Sequence, residues 1–201
     1  MRRRTALARE GGREPGAEDV RQAVIEGAHA REMHVLLDMV CNHVSHLHPI
    51  FRSAAADEAS PYRDWFTFND SAVGYRSFFG VMQMAQLKLQ DDAARDWKIS
   101  HAEYWLREFH VDGYRLDYGN GPGPDFWTDF TTACKAINPD CFIFGEIVES
   151  PEAIRDYVGR LDGNLDFHVE TALRNTYAYG AWTEADLARF LDQPQTRCEL
   201  R

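Results

Sequence analysis

The sequence is short of positive charge, with 22 Lys and Arg against 32 Asp and Glu and a net charge of −10. Polyanions would be repelled, so nucleic acid and anionic membrane surfaces are disfavoured as partners. It lacks any run of about 18 apolar residues, so no segment is expected to span a bilayer. It lacks a C-x-x-C pair: Cys41, Cys134, Cys141 and Cys198 are scattered. A zinc ribbon or thioredoxin-like motif therefore has no support, and four cysteines are few for a disulfide scaffold. The arginines of the first twelve residues precede no apolar stretch, so no secretory signal is visible. The expectation is a cytoplasmic protein with reduced thiols. Internal repeats and low-complexity tracts are also missing.

What is present suffices for a packed core: 44% hydrophobic and 12% aromatic residues in a chain of 201. Residues 1–16 are rich in Arg, Gly and Glu without periodicity and read as a loose or non-native lead-in. From Ala17 the positions Val20, Val24, Ile25 and Ala28 recur at helical spacing. His34 to Val40 is a nearly continuous apolar run around Asp38, as in a strand buried on both faces of a parallel sheet. Residues 42–90 are long, irregular and rich in aromatics, and a stretch of that kind is usually functional.

A helix is predicted from about Asp91 to His110, with Ile99, Ala102, Leu106 and Phe109 on one face. Strand Gly113–Tyr118 follows. The next helix, Pro124–Ile137, is stopped by Asn138-Pro139. Cys141–Ile147 reads as a third strand. Ser150-Pro151 opens a short helix. Asn164–Phe167 reads as a short fourth strand, and Thr183 caps a last helix carrying Leu187, Phe190 and Leu191.

Repeated helix–strand units predict a parallel α/β fold. A doubly wound sheet and a (β/α)8 barrel compete. No G-x-G-x-x-G follows any strand, so dinucleotide binding lacks its signature. A barrel has eight strands in about 250 residues, so four strands are half of one.

Barrel chemistry sits at the C-terminal ends of strands. Here those ends carry Asp38 with Asn42-His43, then Arg115 and Asp117, then Glu146. Side chains alternate along a strand, so Arg115 and Asp117 share a face. An adjacent guanidinium keeps an aspartate ionised, as a nucleophile requires. Glu146 ends an apolar strand, where a half-buried carboxyl near another should hold its proton longer, as a general acid does. Such a pair fits retaining glycoside hydrolysis, with carboxyl groups about 5–5.5 Å apart.

Bland alternatives stand beside each residue. Asp38 also fits a buried hydrogen-bonding anchor, Arg115–Asp117 a structural ion pair, and His43 a satisfied histidine. Asp38, His43, Asp117 and Glu146 could also be read as hard-cation ligands, but Arg115 would repel a cation there. The aromatics Phe51, Tyr62, Trp65, Phe66, Phe68, Tyr75, Phe78 and Phe79 are mostly core candidates, a few of which could stack on sugar rings.

These residues resemble the signature regions of the α-amylase family of glycoside hydrolases. Asp38-Met39-Val40-Cys41-Asn42-His43 is similar to D-x-V-x-N-H, Gly113-Tyr114-Arg115-Leu116-Asp117 to G-x-R-x-D, and Gly145-Glu146 to the third region. The resemblance runs from about Ala17 to Asp192, and the ordered set is far more specific than any one motif. Met84-Ala85-Gln86-Leu87 and Ser60–Phe66 are similar to the neopullulanase and cyclomaltodextrinase branch.

The resemblance implies a partial (β/α)8 barrel, about strands 3 to 6, over 17–43 and 91–201, with a B-domain-like insertion over 44–90. It implies Asp117 as nucleophile, Glu146 as acid/base, Arg115 holding Asp117, His43 hydrogen-bonding the sugar and Asp38 bracing that subsite. The implied substrates are α-glucan oligosaccharides of starch type or cyclodextrins. No cofactor is required; Asn42 is similar to the residue that ligates calcium (Ca2+) in many α-amylases. Ala85 replaces a proline, and Asn120-Gly121 departs from the family's pairs at the aglycone side. The fourth region, with a third catalytic aspartate in an H-D pair, has no counterpart. Half a barrel exposes edges, so the isolated chain is expected to be weakly active, poorly stable or a homo-oligomer. The alternatives are a glucan transglycosylase and a non-catalytic carbohydrate-binding or structural member.

Overall fold

The computed structural model describes residues 16–193. The expected loose segment lies outside the described residues apart from Gly16, as does Cys198.

Helix α1 spans Ala17–His29 and buries only Ile25. Val20 and Val24, expected on its packed stripe, are 46% and 62% exposed. The first strand, β1, is Leu36–Val40, shorter than its apolar run because the chain must first turn through Glu32, whose φ is +58°. β2 (His43–Ser45) and β3 (Met84–Gln86) form an antiparallel pair that opens and closes the insertion, in register His43 with Gln86. Between them lies α2 (Pro49–Ala56). Phe51, Trp65 and Phe66 are buried there, and the Phe51 ring centroid is 5.0 Å from that of Phe66 and 4.6 Å from that of Tyr75. The insertion thus has an aromatic core of its own, which accounts for most of its rings.

Helix α3 (Asp92–Phe109) begins where the Asp91 carboxylate caps the Ala94 N–H. It leads into β4 (Gly113–Asp117). α4 spans Pro124–Ile137, β5 Phe142–Gly145 and α5 Pro151–Ile154, with Ser150 capping Ala153. β6 is only Gly163–Asn164. Asp166, read as strand, instead caps α6 (Phe167–Leu173) by accepting from His168 and Val169. α7 (Glu184–Leu191) starts with a Thr183–Asp186 capping box and buries Leu187.

The main sheet runs β1-β4-β5-β6, all parallel. Its register pairs Asp38 with Arg115, Val40 with Asp117, and Arg115 with Phe144. One face carries Tyr114, Leu116 and Ile143, all fully buried, with Phe126, Trp127 and Phe130 of α4 in the same core. Tyr114 stands edge-on to Phe130 at 5.7 Å and donates its hydroxyl to the Ala102 carbonyl at 2.6 Å. Gly113 is required where β4 starts: a Cβ there would lie 1.8 Å from the Phe142 carbonyl oxygen. The other face carries the charged residues.

Candidate active site

Pairing Asp38 with Arg115 and Arg115 with Phe144 puts Asp38, Arg115, Asp117, Phe144 and Glu146 on one side of the sheet, since side chains alternate along each strand. The structure gathers the predicted ionic residues around Arg115. Its Nη1 donates to Asp38 Oδ1 at 2.8 Å and to Asp117 Oδ1 at 2.7 Å. Its Nη2 forms an ion pair with Glu146 Oε2 at 2.9 Å. The bonds to Asp38, against opposing burial, and then to Asp117 raise the Arg115 pKa, so the guanidinium stays charged. Asp117 and Glu146 are thus close enough to share one side chain, on neighbouring strand ends.

Three carboxylates around one guanidinium concentrate negative charge where no strand hydrogen bond needs it. That surplus suits a positive charge developing on a substrate. Glu146 also accepts from the Tyr118 backbone N–H at 3.1 Å. Its surroundings therefore differ from the apolar wall expected from its strand: it is half-buried, with a backbone donor on one side and the Arg115 charge on another.

His43 starts β2 and stacks on Phe78, centroids 4.9 Å apart and rings 17° from parallel. Burial lowers its pKa from the usual 6.5; the nearby Asp117 charge opposes this and Lys98 adds to it. A neutral imidazole next to the acid pair can donate or accept a hydrogen bond.

Asn42 is buried, and its Oδ1 accepts from Gln86 Nε2 at 3.0 Å while its backbone carbonyl accepts from Leu87 N–H. Its Nδ2 lies 3.3 Å from His43 Nδ1. Gly121 packs so closely that a Cβ there would meet Asn42 Oδ1 at 2.0 Å. The side-chain oxygen is engaged by an amide donor, and no group of three or more His, Cys, Asp or Glu is placed to hold a metal ion among the described residues. Asn42 braces β1, the insertion and the loop after β4.

Sequence reasoning missed two contributors. Tyr118 holds Glu146 through its backbone, in a left-handed conformation with φ +44° that no residue pattern announces. Lys98 is buried in α3 and lies on the stripe already read through Ala102, Leu106 and Phe109; counting four residues back would have found it. Burial lowers its pKa, partly offset by Cys41. Burial likewise pushes the Cys41 thiol up to about 12, so it is an inert thiol beside the site.

Carboxylates gathered at successive strand ends of a parallel α/β sheet sit where barrel folds carry their enzyme centres. Residues 13–199 match the family described as alpha amylase, catalytic domain, and the chain belongs to that family. It is 39% identical over 175 residues to "Alpha-amylase 2" of Dictyoglomus thermophilum, covering 87% of this chain and 31% of that protein. It is 33% identical over 140 residues to a cyclomaltodextrinase of a Bacillus species, covering 66% and 25%. The solved structure of a cyclomaltodextrinase matches with a TM-score of 0.81 at 27% identity, over 87% of this chain and 31% of that one. The chain thus spans between a quarter and a third of these curated relatives. Its parallel sheet and helices are those of a partial barrel of this family.

Proposed function

We propose that this chain carries the acid pair of a retaining glycoside hydrolase acting on α-glucosidic bonds. The observation that supports this best is the single Arg115 guanidinium shared by Asp117 and Glu146. In this reading Asp117 attacks the anomeric carbon while Glu146 protonates the departing oxygen. Water then displaces Asp117, and Glu146 takes the water's proton. Arg115 holds Asp117 in place through its 2.7 Å bond. His43 and Asp38 hold the sugar that becomes attached. No step uses a metal.

Relatives named amylase and cyclomaltodextrinase support starch-type oligosaccharides or cyclodextrins as substrates. A relative named intracellular maltogenic amylase, from Bacillus subtilis, supports a cytoplasmic location. No helix among the described residues is long and apolar enough to cross a membrane. Within this reading the 201-residue chain alone is weakly active, because half a barrel exposes strand edges; self-association is another way to cover them.

The test is the anomeric configuration of the first product, followed by NMR on the longest natural polypeptide containing this chain. The α-anomer must appear first from an α-glucan. Initial β-anomer sinks the retaining reading. A fluorinated glycosyl inhibitor should label Asp117, and absence of label with intact folding favours a non-catalytic member.

A further inference from the structure

Trp97 of α3 is where the insertion meets a barrel helix, and three basic side chains surround its ring. His48, which caps α2 in the insertion, stands edge-on to it with centroids 5.6 Å apart. His101, one turn further along α3, stands edge-on at 4.5 Å. The Lys98 ammonium lies 5.7 Å from the ring centroid. Trp65 of the insertion completes the contact at 5.5 Å. Lys98 is only 9% exposed and both histidines are half-buried. Among the described residues no carboxylate forms an ion pair with any of the three. Bases gathered out of water without an acid partner disfavour one another's charge.

His48 is the member whose charge has a structural consequence. Its Nδ1 accepts the Ile50 N–H at 3.3 Å, which caps the first turn of α2. An imidazole nitrogen accepts only while unprotonated. Protonation at Nδ1 therefore breaks the cap and adds a cation beside Lys98 and His101. His101 differs: its Nδ1 donates to the Trp97 carbonyl at 2.7 Å, a bond that survives protonation of the other nitrogen. The groups facing His48 that carry or can take charge are Lys98 and His101 of α3; Cys41, just past β1, faces Lys98 as a neutral thiol. Burial first, then Lys98 and His101, hold His48 below the usual 6.5.

We infer that His48, Lys98 and His101 around Trp97 form an acid-opened latch between the insertion and α3. At neutral pH the uncharged His48 caps α2 while its ring packs edge-on to Trp97. In acid the cap is lost and like charges push α2 away from α3, so the insertion loosens before the parallel sheet does. Released histidines bind protons more readily than docked ones. Docking is therefore at full strength above the ordinary histidine pKa and weakens as the pH falls through and below it. His43 starts β2 of the same insertion, within reach of the Asp117 charge, so the loosening extends to the acid pair. The latch does not depend on the catalytic roles proposed above.

Amide hydrogen exchange tests this, read by mass spectrometry on the longest natural polypeptide containing this chain and corrected for the intrinsic rate at each pH. From about pH 7.5 to about pH 5, protection of α2 should fall about fivefold or more, the worth of one helix cap. Protection of α4 should change by less than about twofold, as for a separate unit of local opening. His48→Asn keeps a capping acceptor but does not titrate, so its α2 should stay within about twofold across the range. His48→Ser should do the same, which excludes a packing fault peculiar to the asparagine. Lys98→Met removes the fixed charge and should show a smaller fall than the parent. His43 is intact in all three variants, so its own titration cannot produce these differences. Equal protection of α2 at both ends of the range in the parent overturns the inference. So does a fall in His48→Asn as large as the parent's, or a fall in α4 that matches α2.

Discussion

The two faces of one sheet differ in kind. On the helix side Tyr114, Leu116 and Ile143 are fully buried against α4. On the other side, alternate residues of the same strands are charged and held by one arginine, with Asp38 63% exposed at its side chain. Adjacent positions such as Leu116 and Asp117 thus serve separate ends: the first excludes water, the second stays in reach of it. Fold and site should therefore be separable by mutation although they alternate along five residues.

The largest expected effect breaks the site face alone. Asp117→Asn should lower turnover on maltooligosaccharides by on the order of 10^4-fold or more. Its unfolding free energy should stay within about 1 kcal/mol of the parent, because a partly exposed ion pair contributes little and two carboxylates remain on Arg115. Steady-state rates and urea titrations read the two quantities. A large loss of stability would show that the faces are not separable.

Leu116→Ala breaks the opposite face. Truncating a fully buried leucine should cost about 2–5 kcal/mol, seen as a lower urea midpoint. Turnover at temperatures where the variant stays folded should change far less than in Asp117→Asn.

The smallest effect sharpens the comparison through pH. Burial lowers the pKa of His43, His48 and His101 from 6.5. Unfolding restores the ordinary value, so below about pH 6.5 the unfolded chain binds more protons. Stability should be flat above that pH and decline as the pH falls through and below it. Urea midpoints between pH 8 and 5 check the sign; a rise toward acid contradicts it.

Much of this was readable. Helix α4 matches its expected bounds because Pro124 can only begin a helix and Asn138-Pro139 must end one. Arg115 and Asp117 share a face by strand alternation alone, and the family motifs aligned them with Asp38 and Glu146. What stayed hidden depends on tertiary context. Val20 and Val24 have helical spacing, but spacing cannot say whether a partner covers them. Asp166 caps a helix because α6 turns there, which outweighs the apolar residues around it. The partners of Glu146 are a distant arginine and a backbone N–H, neither of which the local apolar run contains.

Arg115 works as a pin through three leaves, since its guanidinium reaches β1, its own β4 and the residue just past β5. The outer leaf is the weakest held: β5 has four residues, and its far neighbour β6 has two. Fraying at that margin would free Glu146 from the pin while Asp38 and Asp117 stayed seated on it. In the proposed mechanism the acid/base would then drift out of line before the molecule melts, so the thinnest stave would set how fragile that chemistry is.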